Sequence, residues 1–450
     1  MNTSDTHYNV IIVGGRPAGA SLAARLGQQN IKTLIIERAT FPSGAAVSSP
    51  FILAHTMELL DEIGADESQY ARNTPKMRRF VLEFKDHFRV YFDVAAKAGR
   101  DYMYTVERER FDTTLWNNLD QFPSVTKLEG FSVTDLTSDP NGRVTGIIGR
   151  APKKAAQTLT ADAVIGADGR FSIVAQKAGA KVTEEETDIL TTQHYAYWEN
   201  VAPYDEHGDP LPHIHTSVDG FAVVFMPSAD GRISVVTQAQ PELYDQLDGN
   251  VQERYLHMLK QRPYVWRRLQ NATQVTKLSG MKRIPNLFRQ AAGDGWALVG
   301  DAYHQKDSYD AQGIYDALIS SKLLAAELTN WHTQQKSWAE AMATYDQTVY
   351  AALKPTFDAT IGRVKREMYE IPPEFVAKNV LRWAISSDAY REKFSQQLIR
   401  QVDDPVGWTA PPNLLKMILS GMLADFKRKL TRTPNPFTVP PVTHLPQNPT

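Results

Sequence analysis

The sequence predicts an α/β protein: a Rossmann-like nucleotide domain assembled from discontinuous segments, an antiparallel-sheet insert, and a C-terminal helical region. Three observations carry this expectation. The chain opens on an apolar strand, a glycine turn and an Ala-rich helix, VIIVGGRPAGASLAARL. Strand-plus-turn signals of the same kind return at ADAVIGADG and GWALVGDA. Between these segments apolar residues alternate with a period of two, as half-buried antiparallel strands do.

Taken in order, Asn9–Val13 reads as a strand, Ala18–Gln29 as a helix and Lys32–Glu37 as the next strand, the pattern of a parallel βαβ unit. Ala54–Ile63 places Met57, Leu60 and Ile63 on one helical stripe that stops at Gly64. FVLEFKDHFRVYFDV, HIHTSVDGFAVVFMP and GRISVVTQA then alternate like hairpin strands of a different sheet. From Asp316 onward apolar residues recur at three and four spacing, broken at Pro372 and Pro373. Pro434, Pro436, Pro440, Pro441, Pro446 and Pro449 exclude helix and inner strand at the end of the chain. The expected division is 1–75, 105–182 and 276–332 for the nucleotide domain and 76–104 and 183–275 for the sheet insert. Residues 333–432 form the helical region and 433–450 a Pro-rich tail.

With 450 residues, 42% of them hydrophobic, the chain can bury a large core. The net charge of -2 gives no general reason to expect nucleic acid or an anionic membrane as partner. The basic group Lys427, Arg428, Lys429 and Arg432 reads as a solvated helix end. The chain has no cysteine, so disulfides, thiolate metal sites and Cys nucleophiles are excluded. Neither a secretory signal nor a membrane-spanning stretch is legible, and the expectation is a cytoplasmic protein.

Three motifs carry chemistry. In the first, G-x-G-x-x-G falls over Gly14, Arg16 and Gly19, with arginine where the second glycine belongs, and acidic Glu37 ends the next strand. Gly14 permits the turn, Gly19 lets helix and strand approach, and the free amides of the helix N-terminus suit a pyrophosphate. Glu37 suits a ribose diol. The second motif is VIGADGRFSIVAQKAG and the third WALVGDAYHQKDSYDAQGIYDAL. Asp301, directly after a buried strand, needs hydrogen-bond donors, such as ligand hydroxyls; an N-cap on the following turn is the other reading.

Together these motifs resemble the group A FAD-dependent aromatic hydroxylases, flavoprotein monooxygenases of the para-hydroxybenzoate-hydroxylase type. The resemblance implies that Gly14, Arg16, Pro17, Ala18, Gly19, Glu37 and Arg38 hold the ADP half of FAD. It also implies Arg108 near the flavin, Asp168 at the pyrophosphate and Asp301 on the ribityl chain. Gln312 and Gly313 would set a helix N-terminus against the flavin N1 and C2 carbonyl. Ser308 and Ala311 stand where such proteins usually carry Pro and Gly, so the loop beside the flavin is altered. Arg16 is expected to turn outward over the cofactor mouth, acting on phosphate at a distance or on incoming NAD(P)H.

The implied activity is hydroxylation of an aromatic or other electron-rich small molecule with NAD(P)H and O2, through a flavin C4a-hydroperoxide, with a separate flavin reductase left open. The expected substrate pocket is Tyr195, Tyr197, His213, His215, Phe225 and Met226, with His194 or Tyr195 as candidate phenol base; by default these aromatics are core and pocket wall. His213 and His215 share a strand face, but no third ligand is identifiable and no metal site is expected. Two other reactions use the same scaffold: halogenation, for which Lys76 is the candidate lysine, and double-bond reduction of the geranylgeranyl-reductase type. The W-x-W-x-I-P and Y-x-W-x-F-P motifs of these two branches are missing. A flavin-binding sensor without turnover ranks last.

Overall fold

A computed structural model describes residues 7–44, 50–217, 219–370 and 372–441. The architecture is α/β, as expected. Strand Tyr8–Val13 pairs in parallel with Thr33–Ile36 on one side and with the end of Gln157–Gly166 on the other. Val125–Leu128 and Trp296–Leu298 extend the parallel array outward. Segments far apart in sequence therefore build one sheet: the inner runs are apolar and buried and satisfy their backbone through their neighbours, while Val125–Leu128 closes the edge half-exposed. An antiparallel hairpin, Ser132–Ser138 and Val144–Arg150, pairs with the first half of Gln157–Gly166, an arm the sequence reading does not include.

Helices Pro17–Gln28, Gly313–His332 and Trp338–Val364 contribute Leu22, Leu26, Leu318, Leu324, Tyr345 and Val349 to the core with this sheet. Gly14 has φ +109°, and a Cβ there would lie 2.3 Å from the Ala167 carbonyl oxygen. At Gly19 a Cβ would lie 1.8 Å from the Gly14 carbonyl oxygen. The glycine turn is thus wedged between the neighbouring strand end and its own helix, and no other residue fits either position.

The second large sheet runs in the order Thr273–Gln274, Thr192–Glu199, Ile233–Ala239, Phe221–Pro227, His213–Thr216, Arg79–Phe84, Phe88–Asp93. It is antiparallel except where His213–Thr216 runs parallel to Arg79–Phe84. One face packs under helices Pro241–Asp245, Val251–Lys260 and Pro263–Trp266, with Trp198, Val223, Phe225 and Val235 meeting Tyr244, Tyr255 and Leu259. Toward the Arg79–Asp93 hairpin the opposite face packs on the C-terminal helices through Phe80, Leu82, Phe84 and Phe394. Of the Pro-rich tail, residues 442–450 lie outside the described residues, as do residues 1–6. Its described part lies on the sheet edge, where the Arg89 amide donates to the Phe437 carbonyl at 2.8 Å.

Candidate functional site

A cleft of about 490 Å³ opens where the parallel strands end, bringing together residues from all three sequence motifs. Gly14, Arg16, Pro17, Ala18, Glu37, Arg38, Arg108, Asp168, Asp301 and Gly313 line it. Two helix N-termini face into this space. Neither Arg16, before Pro17–Gln28, nor Gln312, before Gly313–His332, caps its helix with a side chain. The first-turn amides are therefore left for a ligand, and they favour negative charge. A Cβ at Gly313 would meet nothing within 4 Å, so the backbone there is open to a close-lying group.

Glu37 is 5% exposed, and its carboxylate accepts from the Gly15 amide at 2.9 Å and the Ala39 amide at 3.0 Å. Those two bonds fix the group at the strand end and leave lone pairs for hydroxyl donors. Asp168 accepts from the Ser172 hydroxyl and from the Ile173 amide at 2.7 Å, tying down the loop to the short helix Ile173–Lys177. Burial pushes its carboxyl above the ordinary range, opposed by these donors. Asp301 pairs with Arg170 at 3.1 Å and stays 40% exposed. Gln312 is buried and turns away from the cleft: its amide donates to the Leu398 carbonyl at 2.8 Å and its oxygen accepts from Arg400.

Arg16 departs from the expectation. Its guanidinium leaves the glycine turn but does not reach free over the mouth; it bonds Asp112 at 2.6 Å and the Ser43 carbonyl at 3.2 Å. Arg108 grips the same carboxylate from one turn away, at 2.9 Å. Asp112 is fully buried, and both arginines bond its carboxylate at the cleft wall.

The sequence reading did not include Lys306 and Asp316, which form an ion pair of 3.1 Å on the cleft wall. Arg400 also pairs with Asp316. Burial works against the Asp316 charge, but Lys306 and Arg400 outweigh it and hold the carboxyl well below the usual range. A buried lysine beside a helix N-terminus is a signal only once the loop is folded. Ala311 has φ 56°, the left-handed region, which accounts for the glycine usual at that position.

Directly opposed residues of an antiparallel pair share a face, so the register settles which candidates lie on the side of the cleft loop; Tyr195, Tyr197 and Met226 do so without lining the cleft itself. Gln193, Tyr195 and Tyr197 oppose Gln238, Val236 and Ser234, which in turn oppose Ala222, Val224 and Met226. This face looks toward the cleft loop: Ser308 donates to Gln193, and Gln238 donates to Asp307 at 2.6 Å. Tyr195 and Tyr197 meet edge to face with ring centroids 6.3 Å apart. Burial raises the Tyr197 phenol well above its ordinary range, so it is a donor and not a base.

His194, His213, His215 and Phe225 lie on the other face and do not reach the cleft. His194 stacks on Tyr244 with centroids 4.8 Å apart. His213 and His215 stand 3.6 and 3.8 Å from buried Glu83, beside Arg267 and Arg268, whose charges oppose a cation there. Phe225 lies under Arg268. Lys76 also stands outside the cleft, 49% exposed, over the Tyr102 ring and 3.7 Å from Glu67.

Uncapped helix N-termini, a ribose-type carboxylate and an open glycine fit the adenine dinucleotide and flavin of FAD. The FAD binding domain family matches residues 7–353. The chain belongs to that family.

Within the family it is similar to proteins of several reactions. A tryptophan 2-halogenase of Chondromyces crocatus is 25% identical over 75% of this chain, and the match spans 64% of that relative's length. A digeranylgeranylglycerophospholipid reductase of Methanosphaerula palustris is 24% identical over 88% of the chain and 94% of the relative. Among solved structures, the flavin-dependent brominase Bmp2 superposes with a TM-score of 0.76 at 18% identity, covering 94% of this chain and all of that one. PqsL of Pseudomonas aeruginosa, described as a probable FAD-dependent monooxygenase, gives 0.65 at 17% identity, covering 81% and 97%. These likenesses share the fold, and the family is one of FAD-dependent oxidoreductases. Among the described residues no helix is long and apolar enough to cross a membrane.

Proposed function

We propose that the protein is a FAD-dependent monooxygenase that takes electrons from NAD(P)H and hydroxylates an aromatic or other electron-rich small molecule. The supporting observation is the tyrosine wall of Thr192–Glu199. Its Gln193 end is tied to Ser308 of the cleft loop, and its Tyr197 end lies in the field of Glu107 and Arg108. An aromatic ring bound between this wall and the flavin would be held by edge and face contacts, with a neutral phenol as donor.

FAD would be held at the pyrophosphate by the amides of Ala18 and Gly19, which follow Pro17, at the adenine ribose by Glu37, and at the flavin by the amides after Gln312. Once bound, it supplies the two-electron chemistry with NAD(P)H and the activation of O2. The chain's own residues orient and shield. Lys306 and Arg400, which share Asp316, and the helix N-terminus would place positive potential where a reduced ring gathers negative charge. Asp307, bonded to Thr191 and Gln238, ties the cleft loop to the sheet and limits water entry. Phe171, 89% exposed beside Arg170 at the rim, offers an aromatic face to an arriving nicotinamide.

The halogenase reading draws on relatives that bear that name, but Lys76 stands apart from the cleft, which favours oxygenation. The test is NAD(P)H consumption by the FAD-loaded protein across a panel of phenols, with and without chloride or bromide. Substrate-stimulated consumption with a hydroxylated product supports the proposal. A halogenated or saturated product assigns the protein to one of the other two reactions.

A further inference from the structure

The C-terminal helix Pro411–Thr431 carries an apolar stripe that nothing in the described fold covers. Leu415 is 56% exposed, Leu423 64%, Phe426 62% and Leu430 70%, and Leu419 and Met422 are exposed beside them. At 3.6 residues per turn these side chains fall on one face, about 100° wide. The helix is fixed in that orientation by its inner face. Gly421 is seated so closely on the helix Arg382–Ser386 that a Cβ would lie 2.0 Å from the Trp383 carbonyl oxygen. Asp425 accepts from the Trp383 indole at 2.9 Å and pairs with Arg382 and Arg428. The exposed stripe is therefore presented by a rigid platform, not by a loose segment.

Its charges decide what it meets. The same periodicity places Lys416 and Lys427 along one edge of the stripe and Lys429 along the other, all exposed. Asp425 is the one acidic residue of the helix, and its carboxylate is already used on the inner face. Lysines bordering an apolar face can bury their methylene stems and reach outward to phosphate. Pairing with the same helix of a second copy would instead bring like charges together with no free carboxylate between them.

We infer that this face docks on an anionic lipid surface, the helix lying in the headgroup plane with Leu415, Leu419, Leu423, Phe426 and Leu430 inserted. Lys427 and Lys429, part of the basic group that sequence alone reads as a solvated helix end, become with Lys416 the electrostatic border of an interfacial helix. The inference is independent of which reaction occurs at the flavin.

The test is flotation of the FAD-loaded full chain with vesicles of phosphatidylcholine alone or with one-quarter phosphatidylglycerol, at low and high salt. The expected result is binding to the anionic vesicles, weakened by salt. Lys427→Gln and Lys429→Gln should each weaken partition roughly fivefold. The double variant Leu423→Glu/Phe426→Glu should abolish binding while leaving flavin content and melting temperature unchanged, since both side chains are exposed. No binding of the unaltered protein to anionic vesicles overturns the inference. So does equal binding to both vesicle types, or a dimer by sedimentation that the double variant dissociates.

Discussion

Arg16 and Arg108, 92 residues apart in the chain, hold the same buried carboxylate, that of Asp112, at 2.6 and 2.9 Å. The arginine in the second glycine position is thus part of a structural joint between the first helix and Arg108–Asn118. Removing the Asp112 charge takes from both arginines the buried carboxylate they share, and breaking a buried pair of this kind costs about 3–5 kcal/mol. Asp112→Asn should therefore destabilise the FAD-free protein strongly in urea. Saturating FAD should recover part of the loss, because its pyrophosphate supplies the missing anion. Equal destabilisation with and without FAD would sink this account.

The two glycines of the turn differ from ordinary loop glycines in what surrounds them. Gly19→Ala forces a methyl onto the Gly14 carbonyl, and Gly14→Ala adds a left-handed φ to a clash with Ala167. Both variants should purify without flavin, read as loss of visible absorbance. Ala20→Gly, one position on, should keep the colour and cost only about 1 kcal/mol of helix propensity.

Five buried histidines make the fold sensitive to acid. Burial lowers His194 to about 4 and His215 and His304 to about 3, and holds His55 and His213 well below the usual range. The unfolded chain, with ordinary histidines near 6.5, then binds more protons than the folded one as pH falls below that value. Stability should drop from pH 7 toward pH 5, by about 1 kcal/mol per histidine at pH 5.5. His194→Gln should flatten the melting-temperature curve in that window; an unchanged slope would exclude His194 as a contributor.

Lys306 is the cation nearest the uncapped N-terminus at Gly313 in the sequence of the cleft loop. Lys306→Met removes positive potential from the place where a reduced flavin carries its charge, while Asp316 keeps Arg400. The midpoint potential of the bound flavin should become more negative by about 30 mV or more, equivalent to about 1.4 kcal/mol for two electrons. Spectroelectrochemistry reads this directly, and an unmoved potential would place Lys306 in a purely structural role.

What the sequence discloses depends on whether the requirement is local. The three glycine and aspartate motifs, at Gly14, Asp168 and Asp301, are backbone requirements of single turns, so they are legible and the structure brings all three to one cleft. Period-two alternation shows that His213 and His215 share a face, but not which face meets the flavin; only the pairing of His213 with Phe225 and of Phe225 with Val235 decides that. Tyr195 and Met226 stand one position from His194 and Phe225 and, with Tyr197, fall on the face toward the cleft loop. Asp112 and the Lys306–Asp316 pair are illegible because their partners are joined by tertiary folding and follow no motif spacing.

The monooxygenase reading is tested most directly by supplying the FAD-loaded protein with NAD(P)H and ¹⁸O₂ in the presence of phenolic compounds and weighing the products. The account predicts a hydroxylated product that carries one ¹⁸O atom, formed in step with NAD(P)H oxidation. Oxidation of NAD(P)H solely to hydrogen peroxide, or a product altered without incorporation of the label, would contradict it.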